Sequence, residues 1–424
     1  MLSKKINLVA ADMGYGHQRA AYPFLDLAGG EIITINNYPG IPDRERKYWL
    51  KTLNSYEYLS RLKKTPVIGN YIFSLMDFFQ KIPPLYPFRD LSSTTTQQKY
   101  FFKAIKNGLG RDLINQLRPS GLPFLTTFFV AAYVAEYYNY PGEIYCVICD
   151  TDASRAWAPL QPKSSRTKFL VPSTRVEERL LMYGVKPENI IVTGFPLPKE
   201  NVGSDQGVIR GDLARRVNVL DKSAKYRAHY EVLVTKIVGS ENLVAQPLVI
   251  TYAVGGAGAQ KEVGVTLLQQ LAPAIKEQKI TLNLVAGNRA EIKDYFDTAV
   301  TAAGLDKNSG VNIIFAPSKI EYFKVFNQCL RQTDILWTKP SELSFYCALG
   351  LPIIISPPVG SQEEFNREWL ISVGAGLEVP APEYINEWLP DLLDSGRLAR
   401  AAVDGFLNAE SLGTYHIAKL LGLS

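Results

Sequence analysis

Two glycine-rich turns, one in each half of the chain, constrain this sequence more than any other feature. The first is Met13-Gly14-Tyr15-Gly16-His17 and the second Val254-Gly255-Gly256-Ala257-Gly258. Each follows an apolar run that reads as a buried strand, Ile6 to Ala11 and Leu248 to Val254, and each precedes a stretch able to form a helix. Where a strand ends and a helix begins, backbone N–H groups point outward and the helix dipole favours an anion. Small residues there let a phosphate approach. The pairing predicts an α/β chain of two Rossmann-like domains facing across a cleft that takes a phosphate-bearing ligand.

The rest of the chain extends that pattern. In the first half, strands are expected at 6–11, 31–36, 123–127, 144–149, 168–171 and 190–193, separated by helices at about 17–28, 130–138 and 174–183. A mostly helical insertion, about 41–117, interrupts them and is broken by Pro66, Pro83, Pro84 and Pro87. The second half restarts at Pro247. Strands are expected at 282–286, 312–315, 335–337, 352–355 and 376–379, and helices at 259–277, 320–330, 341–349 and 362–373. Alternating strands and helices imply parallel sheets covered on both faces. The domains read as 1–198, a linker with an insertion at 199–245, a second domain at 246–405, and an amphipathic tail helix within 406–424 expected to pack back on the first domain.

A chain of 424 residues suits two domains, and four cysteines are too few for a disulfide scaffold. Cys146 and Cys149 form a C-x-x-C, but no second Cys or His pair follows at zinc spacing, so the pair reads as structural and no metal is expected. No signal-peptide pattern precedes the first strand, and the longest apolar stretch, around 122–135, is too short to span a bilayer. The expected place is the cytoplasm, peripheral on the inner face of the membrane. Residues 41–111 hold 13 basic against 5 acidic residues, interleaved with Tyr48, Trp49, Tyr56, Tyr58, Tyr71, Phe73, Phe78, Phe79, Tyr86 and Phe88. That mixture suits an anionic membrane surface. A nucleic acid or a plain solvated face would show the same footprint; the membrane is the reading carried forward, with no nucleic-acid partner.

Several residues are placed to do chemistry. His17 stands at a helix N-terminus, which favours the neutral ring, fit for proton transfer. Asp150 and Asp152 follow a strand end, where one could act as a general base, with Arg155 and Trp157 just beyond. The stretch Trp337-Thr338-Lys339-Pro340-Ser341-Glu342 offers an N-cap serine and a carboxylate able to accept the hydroxyls of a ribose. Gln362, Glu363 and Asn366 recur at helical spacing and suit a polyhydroxyl ligand such as a sugar.

These residues together resemble the GT-B glycosyltransferases, and within them the monogalactosyldiacylglycerol synthases and the N-acetylglucosaminyltransferase that completes lipid II. The family's G-G-G-H turn is matched by Gly14-Tyr15-Gly16-His17, and its G-x-P after a strand by Gly194-Phe195-Pro196. Gly255-Gly256-Ala257-Gly258 matches the turn that opens its second domain, and Gly287-Asn288 its G-N strand end. The donor pattern is matched by Lys339-Pro340, Glu342, Gly350-Leu351-Pro352 and Gly360-Ser361-Gln362-Glu363-Glu364-Phe365-Asn366. The chain departs from the family in three places. Tyr15 replaces a glycine, Arg155 stands where a His is expected, and Glu342 lies nearer to Lys339-Pro340 than its counterpart.

The resemblance implies a nucleotide-sugar donor held mainly by the second domain. Gly255, Gly256 and Gly258 would meet the diphosphate, Glu342 the ribose, and Gln362, Glu363 and Asn366 the sugar; Gly287, Asn288, Lys339 and Ser341 complete the donor side. Gly14, Tyr15, Gly16 and Arg155 form the acceptor or phosphate side, with His17, Asp152 and Asp150 the catalytic candidates. The expected activity is inverting transfer of a sugar from a UDP-sugar to an acceptor, a lipid or a small molecule, with no cofactor required. Two other readings stand beside it: a nucleotide-sugar 2-epimerase of the same architecture, and a non-catalytic protein that binds a nucleotide-sugar or glycolipid.

Overall fold

The computed structural model describes residues 4–62, 82–239, 246–254, 258, 260–305, 309–358 and 361–423. The chain forms two compact units. One is Met1–Pro196 with Gly360–Phe365 and Gly413–Ser424; the other is Leu197–Val359 with Asn366–Leu412.

In the first unit six strands are short and apolar: β1 (Asn7–Ala10), β2 (Ile33–Thr34), β3 (Phe124–Thr126), β4 (Ile144–Val147), β5 (Lys168–Val171) and β6 (Ile190–Val192). They form one sheet in the order β2-β1-β3-β4-β5-β6, every pair parallel. β1, β3 and β4 are buried along their whole length, as strands covered on both faces must be. The helices are α1 (Gly16–Ala21), α2 (Asp43–Leu62), α3 (Thr96–Lys106), α4 (Arg111–Leu117), α5 (Phe129–Tyr137) and α6 (Thr174–Met182). α2, α3 and α4 belong to the expected insertion, of which 63–81 lie outside the described residues. The strand expected at 31–36 shortens to two residues. Beyond it the Asn36 side chain accepts from the Asp12 N–H at 2.8 Å and donates to the Asp12 carbonyl at 3.0 Å, replacing the ladder with a side-chain clasp.

From β1 the chain moves outward to β2 and then returns to place β3 on the other side of β1. In open parallel sheets the loops at the carboxyl ends of two such strands diverge and leave room for a ligand. The Gly14–Gly16 turn leaves β1 at that point.

The C-terminal helix, α17 (Gly413–Leu420), belongs to this unit. Ile417 and Ala418 join a core with Ile6, Leu8, Phe24 and Leu170. The His416 ring Nδ1 sits 2.9 Å from the Thr193 carbonyl. A Cβ at Gly413 would collide with the Phe195 carbonyl, so only glycine lets the helix start this close to the chain.

The second unit begins with α7 (Lys199–Val202), α8 (Gly207–Leu220), α9 (Lys225–His229) and α10 (Glu231–Val238). Its sheet holds β7 (Leu248–Ala253), β8 (Ile280–Gly287), β9 (Val311–Phe315), β10 (Ile335–Thr338), β11 (Ile353–Ile355) and β12 (Gly376–Leu377), in the order β12-β11-β10-β7-β8-β9 and all parallel. The connecting helices are α11 (Lys261–Lys276), α12 (Ala290–Ala302), α13 (Lys319–Gln332), α14 (Ser361–Ser372), α15 (Ile385–Asp394) and α16 (Arg397–Asn408). Ile250, Leu284, Ile335 and Trp337 from the strands share a core with Leu267, Leu271 and Phe296 from the helices. Buried Arg216 fastens α8 beneath the sheet by donating to the carbonyls of Leu330, Thr333 and Leu349 at 2.6–2.8 Å. Burial pulls its pKa down to about 10. The helix expected at 341–349 is a 3-10 helix, Glu342–Leu349, whose start is set by Ser341: its carbonyl accepts from Ser344 N–H at 2.9 Å. Here the switch of direction lies between β7 and β10.

Candidate active site

In the first unit the switch point is closed by a reciprocal pair. The ring Nδ1 of His17, on α1, lies 2.6 Å from the carbonyl oxygen of Thr127, the residue after β3. The Thr127 hydroxyl donates back to the His17 carbonyl at 2.7 Å. A carbonyl only accepts, so Nδ1 carries the hydrogen, and in the neutral ring Nε2 holds the lone pair. The ring meets Phe128 edge-on at 5.0 Å and lies 6.2 Å from Trp157. His17 is half-buried, whereas Phe128 and Trp157 are buried. A half-buried imidazole with a fixed tautomer and apolar walls has the makings of a proton acceptor. Gly14 is exposed at φ +99°, with open space where a Cβ would stand. Tyr15, beside Gly16, sets its ring 5.9 Å from the Arg19 guanidinium.

The carboxylates after β4 divide. Asp150 is half-buried just past the strand. Asp152 is 2% exposed, and its two oxygens are taken by Arg179 Nε and Nη2, each at 2.8 Å, and by Arg175 Nε at 3.0 Å. It also accepts from Ala153 N–H at 2.8 Å. Asp152, expected as a general base, thus has the contacts of a brace for its loop: two guanidiniums and a backbone N–H on one carboxylate. Arg155 is tied down likewise. Its guanidinium is turned inward, donating to the carbonyls of Ala158, Pro159 and Ser92 at 2.9, 3.1 and 2.7 Å, rather than outward to an acceptor or phosphate. Burial pulls its pKa down. Cys146 and Cys149 are both buried free thiols, and burial pushes the Cys146 thiol up.

In the second unit the expected donor residues fall at the carboxyl edge of adjacent strands. Register aligns Thr338 of β10 with Ala253 of β7 and Ala253 with Val285 of β8. Lys339, Ser341 and Glu342 follow β10, Gly287 ends β8 with Asn288 after it, and Gly258 lies between β7 and α11. Gly255 and Gly256 lie outside the described residues. The entry to α11 is pinned at Gln260, a non-glycine residue at φ +65°. Its carbonyl accepts from the Tyr252 hydroxyl at 2.6 Å, and its side chain donates to the Pro357 carbonyl at 3.1 Å. Such a backbone persists only where its surroundings hold it, and that holding is concentrated at functional turns. Gln362 and Glu363 fall in Gly360–Phe365, which groups with the first unit, whereas buried Asn366 groups with the second.

The sequence reading missed Thr127, Arg175, Arg179 and Gln98. The arginine pair stands at i and i+4 on α6, a spacing that places both on one face. Thr95-x-x-Gln98 is a capping box, which could have marked the start of α3. Thr127 carried no local signal. Among the described residues, no group of three or more His, Cys, Asp or Glu is placed to hold a metal ion, and no helix is long and apolar enough to cross a membrane. The insertion exposes Leu50, Tyr86, Phe88 and Tyr100 beside exposed Arg44, Arg46, Lys47, Lys51, Lys99 and Lys103.

Comparison with known proteins adds to this geometry. A family described as a domain of unknown function (DUF6938) matches residues 241–308 and 290–421. A processive diacylglycerol beta-glucosyltransferase of Bacillus subtilis (strain 168) is 23% identical over 399 residues, covering 92% of this chain and 87% of that protein. The protein of the same name from Bacillus pumilus (strain SAFR-032) is 23% identical over 401 residues, with the same coverage. Among solved structures, Acinetobacter baumannii MurG superposes with a TM-score of 0.50 at 15% identity, covering all of both chains. Along nine-tenths of its length the chain is thus similar to lipid glucosyltransferases, and its two parallel six-stranded sheets with flanking helices form the two Rossmann-like domains of the GT-B fold, as the motif resemblance implied.

Proposed function

We propose that this chain is a glycosyltransferase that moves a sugar, with inversion, from a UDP-sugar to a lipid acceptor of the diacylglycerol class. The observation that carries the reading is the similarity to diacylglycerol beta-glucosyltransferases across 92% of the chain. The geometry of each unit supports it. His17, oriented by the Thr127 carbonyl, is the base that takes the acceptor hydroxyl proton on Nε2 as the new glycosidic bond forms. Asp150, half-buried just past β4, is the carboxylate that remains among the catalytic candidates. On the donor side the start of α11 stabilises the charge left on the departing diphosphate. Glu342 accepts the ribose hydroxyls, and Lys339, Ser341, Asn288, Gln362, Glu363 and Asn366 contact the remaining polar groups. The exposed basic and aromatic residues of the insertion hold the protein against an anionic membrane, at the inner face where UDP-sugars are made.

The test is a panel of UDP-sugars with vesicles of phosphatidylglycerol containing diacylglycerol, products read by mass spectrometry. The expected result is a hexosyl-diacylglycerol and free UDP, formed faster on anionic than on zwitterionic vesicles and less at high salt. Conversion of UDP-N-acetylglucosamine alone to its 2-epimer would replace this reading with the epimerase. Binding of UDP-sugars without any product would replace it with the non-catalytic one.

A further inference from the structure

The ring of His17 is walled by Phe128 and Trp157, and the insertion backs both walls. Trp49 of α2 lies 6.3 Å from Phe128. Trp157 sits on a single 3-10 turn, Arg155–Trp157, too short to hold itself. Three buried side chains hold it instead. Gln98 Nε2 donates to the carbonyls of Ala158 at 2.7 Å and Arg155 at 3.2 Å. The Tyr133 hydroxyl bonds the Ala156 and Ala158 carbonyls, and Arg155 ties the turn to the Ser92 carbonyl, just ahead of α3.

Gln98 is the part that joins the two structures. It is fully buried, and both ends of its amide are in use. Oε1 accepts from Thr95 N–H at 3.1 Å and closes the capping box of α3, while Nε2 reads the Trp157 turn. An amide committed at both ends cannot rotate without losing both sets of bonds. Any movement of α3 is thereby transmitted to the wall of the histidine.

We propose that Gln98 is a positioning residue: it locks the Trp157 turn to helix α3 of the insertion and so holds the His17 ring in the orientation from which Nε2 takes a proton. The proposal rests on the reading of His17 as the base, and its test includes a readout that does not need turnover. The chain has three histidines, so their ring nitrogens can be followed by two-bond proton–nitrogen correlation in the labelled full-length protein at about pH 8, where an unperturbed ring is neutral. His17→Asn assigns the His17 signals.

Gln98→Glu keeps an acceptor for Thr95 N–H but removes the donor to the turn. The expected result is a His17 pattern shifted from pure Nδ1–H toward mixed tautomers, with His229 and His416 unmoved. Sugar transfer should lose about 10- to 100-fold in kcat, the scale of a misplaced reacting group, at unchanged KM for the UDP-sugar. Thr95→Ala breaks the cap and leaves the turn contacts; it should lower Tm and leave the His17 signals in place. Should Gln98→Glu fail to fold, Arg155→Lys, which loses the fork to Ser92 and Ala158, is read in the same way. Unchanged His17 signals in a folded turn variant, or an equal shift in Thr95→Ala, overturn the proposal. Absence of transfer by the native protein overturns the functional reading alone, because the tautomer result stands without it.

Discussion

Removing the carboxylate of Asp152 strands a charge. Arg179 is fully buried, and its Nε and Nη2 both end on Asp152 at 2.8 Å. Burial alone would draw the Arg179 pKa down, but the bonds and charge of Asp152 outweigh it and the net shift is upward. Without its partner the guanidinium stays charged in a dry site. Breaking one member of such a buried pair costs about 3–5 kcal/mol. The Arg175 contact, with that side chain 35% exposed, adds at most about 1 kcal/mol, and the lost bond to Ala153 N–H about 1 kcal/mol more. Asp152→Ala should therefore unfold at markedly lower urea. Asp152→Asn keeps the shape and one acceptor oxygen but turns an amide N–H₂ toward a guanidinium, and should lie between Ala and the native protein.

Urea unfolding followed by circular dichroism gives the first quantity, and transfer rates measured well below the midpoint give the second. For a brace the two separate: stability falls, and the kcat of the folded Asp152→Asn protein stays within about tenfold of native. A general base shows the opposite pattern, since its loss costs about 10²–10⁴-fold in rate. Asp152→Asn with an unchanged urea midpoint and a rate loss of that size would refute the reasoning, and would return Asp152 to the catalytic candidates.

Three further outcomes are expected. His17→Asn should cost about 10²–10⁴-fold in kcat with a near-native urea midpoint, since the asparagine amide keeps an N–H donor for the Thr127 carbonyl; activity close to native would remove it as the base. Glu342→Ala should weaken UDP binding by about 1–3 kcal/mol, the cost of losing a charged hydrogen-bond partner, and calorimetry that finds unchanged affinity rejects the ribose assignment. Glu45 is buried and accepts from Gly110 N–H at 2.9 Å; burial pushes its pKa up by more than that bond pulls it down, and the charge of Asp112 adds to the rise. The folded chain then binds this proton more tightly than the unfolded one, so its contribution is full below the ordinary glutamate value of about 4.3 and is lost as pH rises through the raised one. Urea midpoints measured from about pH 4 to 7 should lose that step in Glu45→Gln.

The fold was legible because its signals are local. A strand such as Ile353–Ile355, a glycine turn and an amphipathic helix each announce themselves within a few residues, and their alternation dictates parallel pairing. Local signals failed where a distant side chain intervened. Nothing near Ile35 says that Asn36 will clasp Asp12 and end β2, and nothing near Glu342 says that the segment will wind as 3-10. The proposed donor residues share that locality: Lys339, Ser341 and Glu342 follow one strand end, and Gln362, Glu363 and Asn366 lie on one helix.

The catalytic side could not be read that way, because its chemistry is decided by pairs distant in sequence. Asp152 and His17 look alike in the sequence: a titratable residue just past an apolar strand. What separates them is the partner. Asp152 meets two arginines 23 and 27 positions away. Their guanidiniums occupy both carboxylate oxygens. His17 meets a carbonyl 110 positions away, which takes the Nδ1 hydrogen and thereby fixes the lone pair on Nε2. On the proposed reading, partner type alone separates the brace from the base. The same logic accounts for Arg155, whose inward fork to three carbonyls makes it a fastener of the Trp157 turn. A histidine there would present two ring nitrogens where the guanidinium presents five N–H donors, and could not reach Ala158, Pro159 and Ser92 together. The departure from the family at that position therefore exchanges a group able to face a ligand for one that stiffens the wall behind His17.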